Sequence, residues 1–193
     1  MILIIDNYDS FTYNLLQLAG SFDPDTRVVR NDRISVDEII GMYPSHLIIS
    51  PGPGHPKDAG ICRELVHRIK GLVPVLGICL GHQVICEAFG AAIVPAKQPV
   101  HGKQREIHIA NGSRIFRGLP PVIKAGRYHS LAVRRSDLPE DLLVIAEDSE
   151  EEIMGVKHRH YEIYGLQFHP ESILTPHGAL IMENFLKTGG GRE

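Results

Sequence analysis

The residue of this sequence best placed for chemistry is Cys79, in the stretch "PVLGICLGHQVICEAFG" at 74–90. An apolar run from Val73 to Ile78, broken only by Pro74 and Gly77, reads as a strand, and Leu80 to Phe89 reads as a helix with no turn residue inside it except Gly81. Cys79 therefore falls at a strand-to-helix turn, where unpaired N–H groups and the positive end of the helix dipole favour a negatively charged sulfur. Its neighbours, Gly77-Ile78-Cys79-Leu80-Gly81, have the spacing of the sharp nucleophile turn G-x-S-x-G, with sulfur in place of the hydroxyl. A cysteine chosen at random is most often a buried packing residue, and that reading suits Cys62 and Cys86. At Cys79 the two glycines remove side chains from both sides of a crowded turn and leave the sulfur approachable.

A thiolate nucleophile needs a proton acceptor and a group that orients the acceptor. In "YGLQFHPES", His169 and Glu171 stand two apart across Pro170. The proline pushes the residue before it into an extended conformation, so both side chains can project to one side and Glu171 can hold the imidazole. Cys79, His169 and Glu171 then follow the nucleophile, base, orienter order of α/β hydrolases. His82, three residues after Cys79, competes for the base role, but it lacks an orienting carboxylate because Glu87 falls on a different part of the helix surface. A zinc site made of Cys79, His82 and Cys86 fails on reach, since a metal at about 2.0–2.3 Å from its ligands cannot take two residues seven apart on one helix. No metal is expected.

The loop "ISPGPGHP" at 49–56 follows a strand at its carboxyl end, the ligand side of a parallel α/β sheet. Gly52 and Gly54 between prolines make a stiff loop that can aim N–H groups at an oxyanion; equally, they can serve turn geometry alone. No G-x-x-x-x-G-K-[ST] phosphate loop is present.

The elements around these residues alternate. "MILIIDN", "TRVVRND", "HLIIS" and "PVLGI" read as strands, separated by helices over "SFTYNLLQLAG" with Ser10 as cap, "SVDEIIGMY" with a Ser35/Glu38 capping box, and a face of Ile61, Leu65, Val66 and Ile69. Four β-α units predict a three-layer α/β fold: a mostly parallel central sheet with helices on both faces. After residue 92 short strand-like pieces such as "AAIVPA", "REIHI", "VIKAGRY" and "LLVIAED" predict a mixed or antiparallel C-terminal half, closed by a helix over 176–186. The expectation is one domain over 1–188 and a mobile tail at 189–193.

The bulk numbers fit. A chain of 193 residues is the size of one domain, and a net charge of −3 with 20 basic residues makes nucleic acid and anionic membranes poor partners. No apolar run reaches the ~18 residues of a membrane span, and Asp6 interrupts what would be a signal peptide, so a cytoplasmic protein is expected. Three cysteines make an odd count, and about 10 Å of helix rise separates Cys79 from Cys86, so reduced thiols are expected.

Three pieces, "SPGPG" at 50–54, "GICLGHQ" at 77–83 and "FHPES" at 168–172, together resemble the triad-type class I glutamine amidotransferases. "DNYDSFTYNL" at the start, "HGK" at 101–103, "RYHSL" at 127–131 and "QFHPESILTPHG" narrow the resemblance to the small subunits of the chorismate-using synthases, for anthranilate or for aminodeoxychorismate. The resemblance implies hydrolysis of the glutamine side-chain amide through a thioester on Cys79, with ammonia passed to a large partner subunit. It implies an oxyanion hole from the backbone of Gly52 and Leu80, and a glutamine pocket of Gly52, Pro53, Gly54, Gln83, Ser130 and Leu131. It also implies that "HGK" and "NYDSF" face the partner and that no cofactor is needed. Without it, Gln83 reads as a solvated helix residue. Two readings of other classes are an inactive binding module, disfavoured by the intact Cys79, His169 and Glu171 set, and a thiol hydrolase acting alone on γ-glutamyl compounds.

Overall fold

The computed structural model describes residues 1–189; the rest of the expected mobile tail, 190–193, lies outside the described residues. Its backbone is one nine-stranded sheet in the order β2-β1-β3-β4-β9-β8-β7-β5-β6. Strands β1 (Ile2–Asp6), β2 (Thr26–Arg30), β3 (His46–Ile49), β4 (Val75–Ile78) and β9 (Ile163–Leu166) pair in parallel. Beyond β9, strands β8 (Ile153–His158), β7 (Leu142–Glu147), β5 (Ile93–Ile109) and β6 (Val122–Val133) continue it antiparallel.

Side chains alternate across a pleated strand, and here both faces of the parallel half are covered. Ile2, Ile4, Ile48, Leu76 and Ile78 pack on one face with Leu15 and Ala19 of α1 (Thr12–Gly20) and with Ile181, Met182 and Phe185 of α5 (Gly178–Leu186). Leu3, Ile5, Leu47, Ile49 and Val75 pack on the other with α2 (Val36–Gly41), α3 (Cys62–Ile69) and α4 (Leu80–Ala88). Double-sided cover is why these strands read as unbroken apolar runs. The α/β layering inferred from the sequence is the observed one.

Local signals worked where they were short-range. The α2 capping box forms, with Ser35 Oγ accepting from Glu38 N–H and Glu38 returning to the Ser35 backbone. At α1 the expected cap is wrong. The helix opens after Phe11, and Ser10 makes no cap bond; Asp9 accepts from the Phe11 N–H at 2.7 Å and Asp6 from the Thr12 hydroxyl at 2.8 Å. A carboxylate is a stronger acceptor for orphan N–H groups than a hydroxyl.

The pieces after residue 92 are also fewer and longer than their turn signals imply. "AAIVPA" and "REIHI" join in the 17-residue β5, and "VIKAGRY" runs on through "HSLAV" in the 12-residue β6. The breaks in pattern at Pro95–Val100 and His101–Lys103 are register shifts in a continuous antiparallel pair. Such bulges bend a strand without ending it.

Candidate active site

The carboxyl ends of the parallel strands deliver the site. Cys79 follows β4, in backbone geometry (φ 52°, ψ −102°) that a non-glycine residue adopts only under strain, of order 1–3 kcal/mol. The turn holds because its surroundings over-determine it. Cys79 N–H donates to the Leu166 carbonyl at 2.8 Å, and its own carbonyl accepts from Gln83 N–H at 3.1 Å in the first turn of α4. A β-carbon on Gly77 would stand 2.4 Å from the Gly81 carbonyl oxygen, and one on Gly81 2.3 Å from that of Ile49. The two glycines that flank Cys79 are thus the points where helix and strands touch backbone to backbone.

The loop after β3 is braced from its neighbours. Asn7, buried just beyond β1, receives a hydrogen bond from Asn31 and one from the Cys62 thiol, and it donates to the Ser50 carbonyl at 2.9 Å. Gly52 lies so near Asn7 and Leu80 that a β-carbon there would be 2.6 Å from both side chains. Among the described residues the Gly52 N–H makes no hydrogen bond to protein, and Leu80, first residue of α4, has an N–H that no intrahelical carbonyl can take. Two N–H donors without a protein partner among the described residues therefore belong to residues that line the same cavity as Cys79.

His169 and Glu171 come from the segment after β9. The segment is pinned to β6: His169 N–H donates to the Gly126 carbonyl at 3.0 Å, and Thr175 Oγ links the His169 carbonyl to the Gly126 N–H. Glu171 Oε1 meets His169 Nδ1 at 2.6 Å, both side chains being buried. Burial alone would push the imidazolium pKa down, but the Glu171 carboxylate and the nearby Cys79 sulfur outweigh it and hold it up at about 10. His169 Nε2 has no hydrogen-bond partner among the described residues, which leaves it available for proton transfer. Phe11 and Tyr128 pack edge-on against the ring at 5.2 and 4.9 Å between centroids.

His82 does not act here. It is fully buried under Gly165, with Nδ1 3.9 Å from Cys86 Sγ, and burial, aided by His129, pushes its pKa down to about 3. Cys62 and Cys86 are buried free thiols pushed up by desolvation, Cys62 to about 12.

A cavity of about 160 Å³ opens beside Cys79, lined by Gly52, Pro53, Gly54, Leu80, Gln83, Ser130 and Leu131, and also by His101, Tyr128 and His129. A larger one, of about 350 Å³, lies against Lys97, Arg105, Arg127 and Glu152 and contains no nucleophile paired with a base. Cys79 opens on the smaller one, and Tyr128 of its lining packs against the His169 ring. Of the residues expected in the site, Gly52, Pro53, Gly54, Cys79, Leu80, Gln83, Ser130 and Leu131 line this cavity, and the His169–Glu171 pair adjoins it through Tyr128 and the Cys79 sulfur. Sequence reasoning missed His101, Tyr128 and His129, which sit in "HGK" and "RYHSL", and Gln167, whose amide nitrogen is 3.6 Å from the Cys79 sulfur. No spacing pattern marks them; strand pairing alone brings them in.

The fold and this site define a class. Residues 3–188 match the family model for glutamine amidotransferase class-I, and the chain belongs to that family. The anthranilate synthase component 2 of Methanothermobacter marburgensis is 50% identical over 195 residues, covering 97% of this chain and 98% of that one. The aminodeoxychorismate/anthranilate synthase component 2 of Bacillus subtilis is 47% identical, covering 97% and 96%. This chain also matches the bifunctional protein TrpGD of Thermotoga maritima at 49% identity, spanning 96% of itself but only 32% of that longer protein. Among solved structures, a putative GMP synthase subunit from Thermoplasma acidophilum superposes with a TM-score of 0.86 at 30% identity, over 96% of this chain and 91% of that one.

Proposed function

We propose that this chain, over 1–188 as one unit, is the glutaminase subunit of a chorismate-aminating synthase. The observation that carries the reading is the grouping of Cys79, His169 and Glu171 beside an open cavity and two N–H donors without protein partners among the described residues, in a chain about half identical to synthase small subunits. Cys79 sulfur attacks the amide carbon of glutamine, and the oxygen takes up negative charge facing the Gly52 and Leu80 N–H groups. Losing one such donor typically costs about 3 kcal/mol of transition-state stabilisation. His169 protonates the leaving nitrogen, the C–N bond breaks, and ammonia and a Cys79 thioester result. His169 then accepts a proton from water as the water attacks the thioester, releasing glutamate and the sulfur. Glu171 keeps the ring oriented through both halves.

The amino-acid end of glutamine lies along Gly54, Gln83 and the backbone of Ser130 and Leu131, with Pro53 shaping the wall. Neither metal nor organic cofactor enters this half-reaction. Ammonia goes to a large subunit that aminates chorismate, and the names of the relatives favour anthranilate as product, with aminodeoxychorismate the alternative because the Bacillus subtilis relative carries both. The setting of such a subunit is cytoplasmic; among the described residues no helix is long and apolar enough to cross a membrane.

The test is to combine the chain with each chorismate-using large subunit of its own source, supply chorismate and glutamine, and identify the aminated product. Cys79→Ser is expected to abolish glutamine-dependent product and leave ammonia-dependent product intact. Loss of both activities would make Cys79 an assembly residue, and glutamine hydrolysis at full rate with neither large subunit present would favour a stand-alone hydrolase.

A further inference from the structure

Gln167 is completely buried, and the mechanism above does not use it. Its position follows from strand register. β4 and β9 run parallel with Ile78 opposite Leu166, so the next residue of each strand, Cys79 and Gln167, emerges at the same edge of the sheet. The Gln167 backbone N–H is tied to the Met154 carbonyl at 2.9 Å. A buried amide must find partners for its polar ends, and those of Gln167 are Gln83 and Cys79.

The direction of that amide can be deduced without assuming it. The Leu131 carbonyl oxygen only accepts, and a Gln83 side-chain atom lies 3.1 Å from it, so that atom is Nε2. The other Gln83 Nε2 hydrogen points to a Gln167 atom at 3.1 Å, which must then be Oε1. Gln167 therefore turns Nε2, its donor end, to the Cys79 sulfur. The Leu131 carbonyl is fixed from the far side as well. Arg127 can only donate, and its Nε reaches His129 Nε2 at 3.1 Å, so His129 carries its proton on Nδ1 and gives it to Leu131 at 2.9 Å. One polarity runs through the whole chain of bonds, and it leaves Gln83 Oε1 as an acceptor on the cavity wall.

The geometry points to Gln167 as a further catalytic residue: its side-chain N–H donates to the Cys79 sulfur and stabilises the charged nucleophile, while its carbonyl sets the orientation of Gln83 for the substrate. This rests on Cys79 being the nucleophile. A donor to an anion is a charge-assisted hydrogen bond, and reversing it should be felt most before the sulfur is acylated.

The experiment compares the unmutated chain with Gln167→Glu, which keeps the shape and turns an acceptor to the sulfur, and Gln167→Met, which removes the donor. The rate of Cys79 alkylation by iodoacetamide is followed against pH, with the modified residue identified by mass and folding checked by thermal denaturation. The pH of half-maximal alkylation is expected to rise by about one unit in Gln167→Met and by more in Gln167→Glu, with glutamine KM raised in both. A folded variant that alkylates with the unmutated profile overturns the role, whatever its stability. Because a variant can fail to fold, the side-chain amide resonance of Gln167 is also followed in the unmutated protein. It is expected to titrate with the same midpoint as alkylation, and a resonance that stays fixed across that range overturns the proposal. Failure of Cys79 to alkylate, or retained glutamine-dependent activity in Cys79→Ser, would remove the nucleophile itself and this inference with it.

Discussion

At the scale of residues, the pair His169 and Glu171 decides how the site responds to pH. The imidazolium pKa is held near 10 in the folded chain against an ordinary value of 6.5. A group whose folded pKa is raised adds stability that is fully present below the unfolded value and is lost as pH climbs through the folded one. The stabilisation from this pair is therefore complete at pH 6 and fades between about 6.5 and 10. In Glu171→Gln the raised pKa loses its main favourable cause. The gap in melting temperature between the two proteins is expected to be widest near pH 6 and to narrow toward pH 10, measured by thermal denaturation across that range. A gap that widens with pH would contradict the assignment. Glutamine turnover by the same variant should fall, because the ring loses its orienter.

At the scale of elements, the crossing of α4 over β4 and β3 sets where the sulfur stands. That crossing is a contact of backbones, and any side chain on Gly77 must part them. Gly77→Ala is expected to lower stability by roughly 1–3 kcal/mol, as overpacked sites do, and to cut glutamine hydrolysis by displacing Cys79. Gly41→Ala is the contrast. It stands at the end of α2 with nothing within 4 Å of the added carbon, and it should gain up to about 0.5–1 kcal/mol from helix propensity with activity unchanged. Urea denaturation of both, beside a glutaminase assay, separates a clash from a general intolerance of alanine.

At the scale of the whole molecule, the antiparallel half of the sheet is tied together by a buried charge cluster. Arg127 of β6 reaches Asp148 at 2.7 Å and Glu152 at 2.9 Å, on the turn between β7 and β8, and it also holds His129. Burial raises the Asp148 pKa, but the backbone N–H of Glu152 and the Arg127 guanidinium together hold it below its usual value. The same cluster leaves His129 neutral: burial and Arg127 push its pKa down to about 4. Arg127→Met strands two carboxylates against an apolar side chain. The loss is expected to be about 3–5 kcal/mol, the range for breaking a buried pair, and urea denaturation would measure it. Glutamine KM should rise with it, because His129 loses the donor that keeps its proton on Nδ1, facing the Leu131 carbonyl.

What could be read from the sequence was what a few consecutive residues decide. The elbow around Cys79, the His-Pro-Glu geometry, the α2 capping box and the alternation of strand and helix depend on bonded neighbours and on the period of the backbone, so spacing alone revealed them. The Ser10 cap failed because the carboxylates of Asp6 and Asp9, just before it, take the donors at the start of the helix. β5 and β6 were read as fragments because a bulge and a turn look alike until a partner strand is present. Gln167, His129 and Arg127 were silent for a related reason: their roles depend on which strand lies beside which. Pairing β4 with β9 sets Gln167 against Cys79, and pairing β5 with β6 carries Ser130 and Leu131 to the cavity. Such register is fixed by the packing of the whole sheet, over separations of up to 88 residues, and no local stretch of the chain contains it.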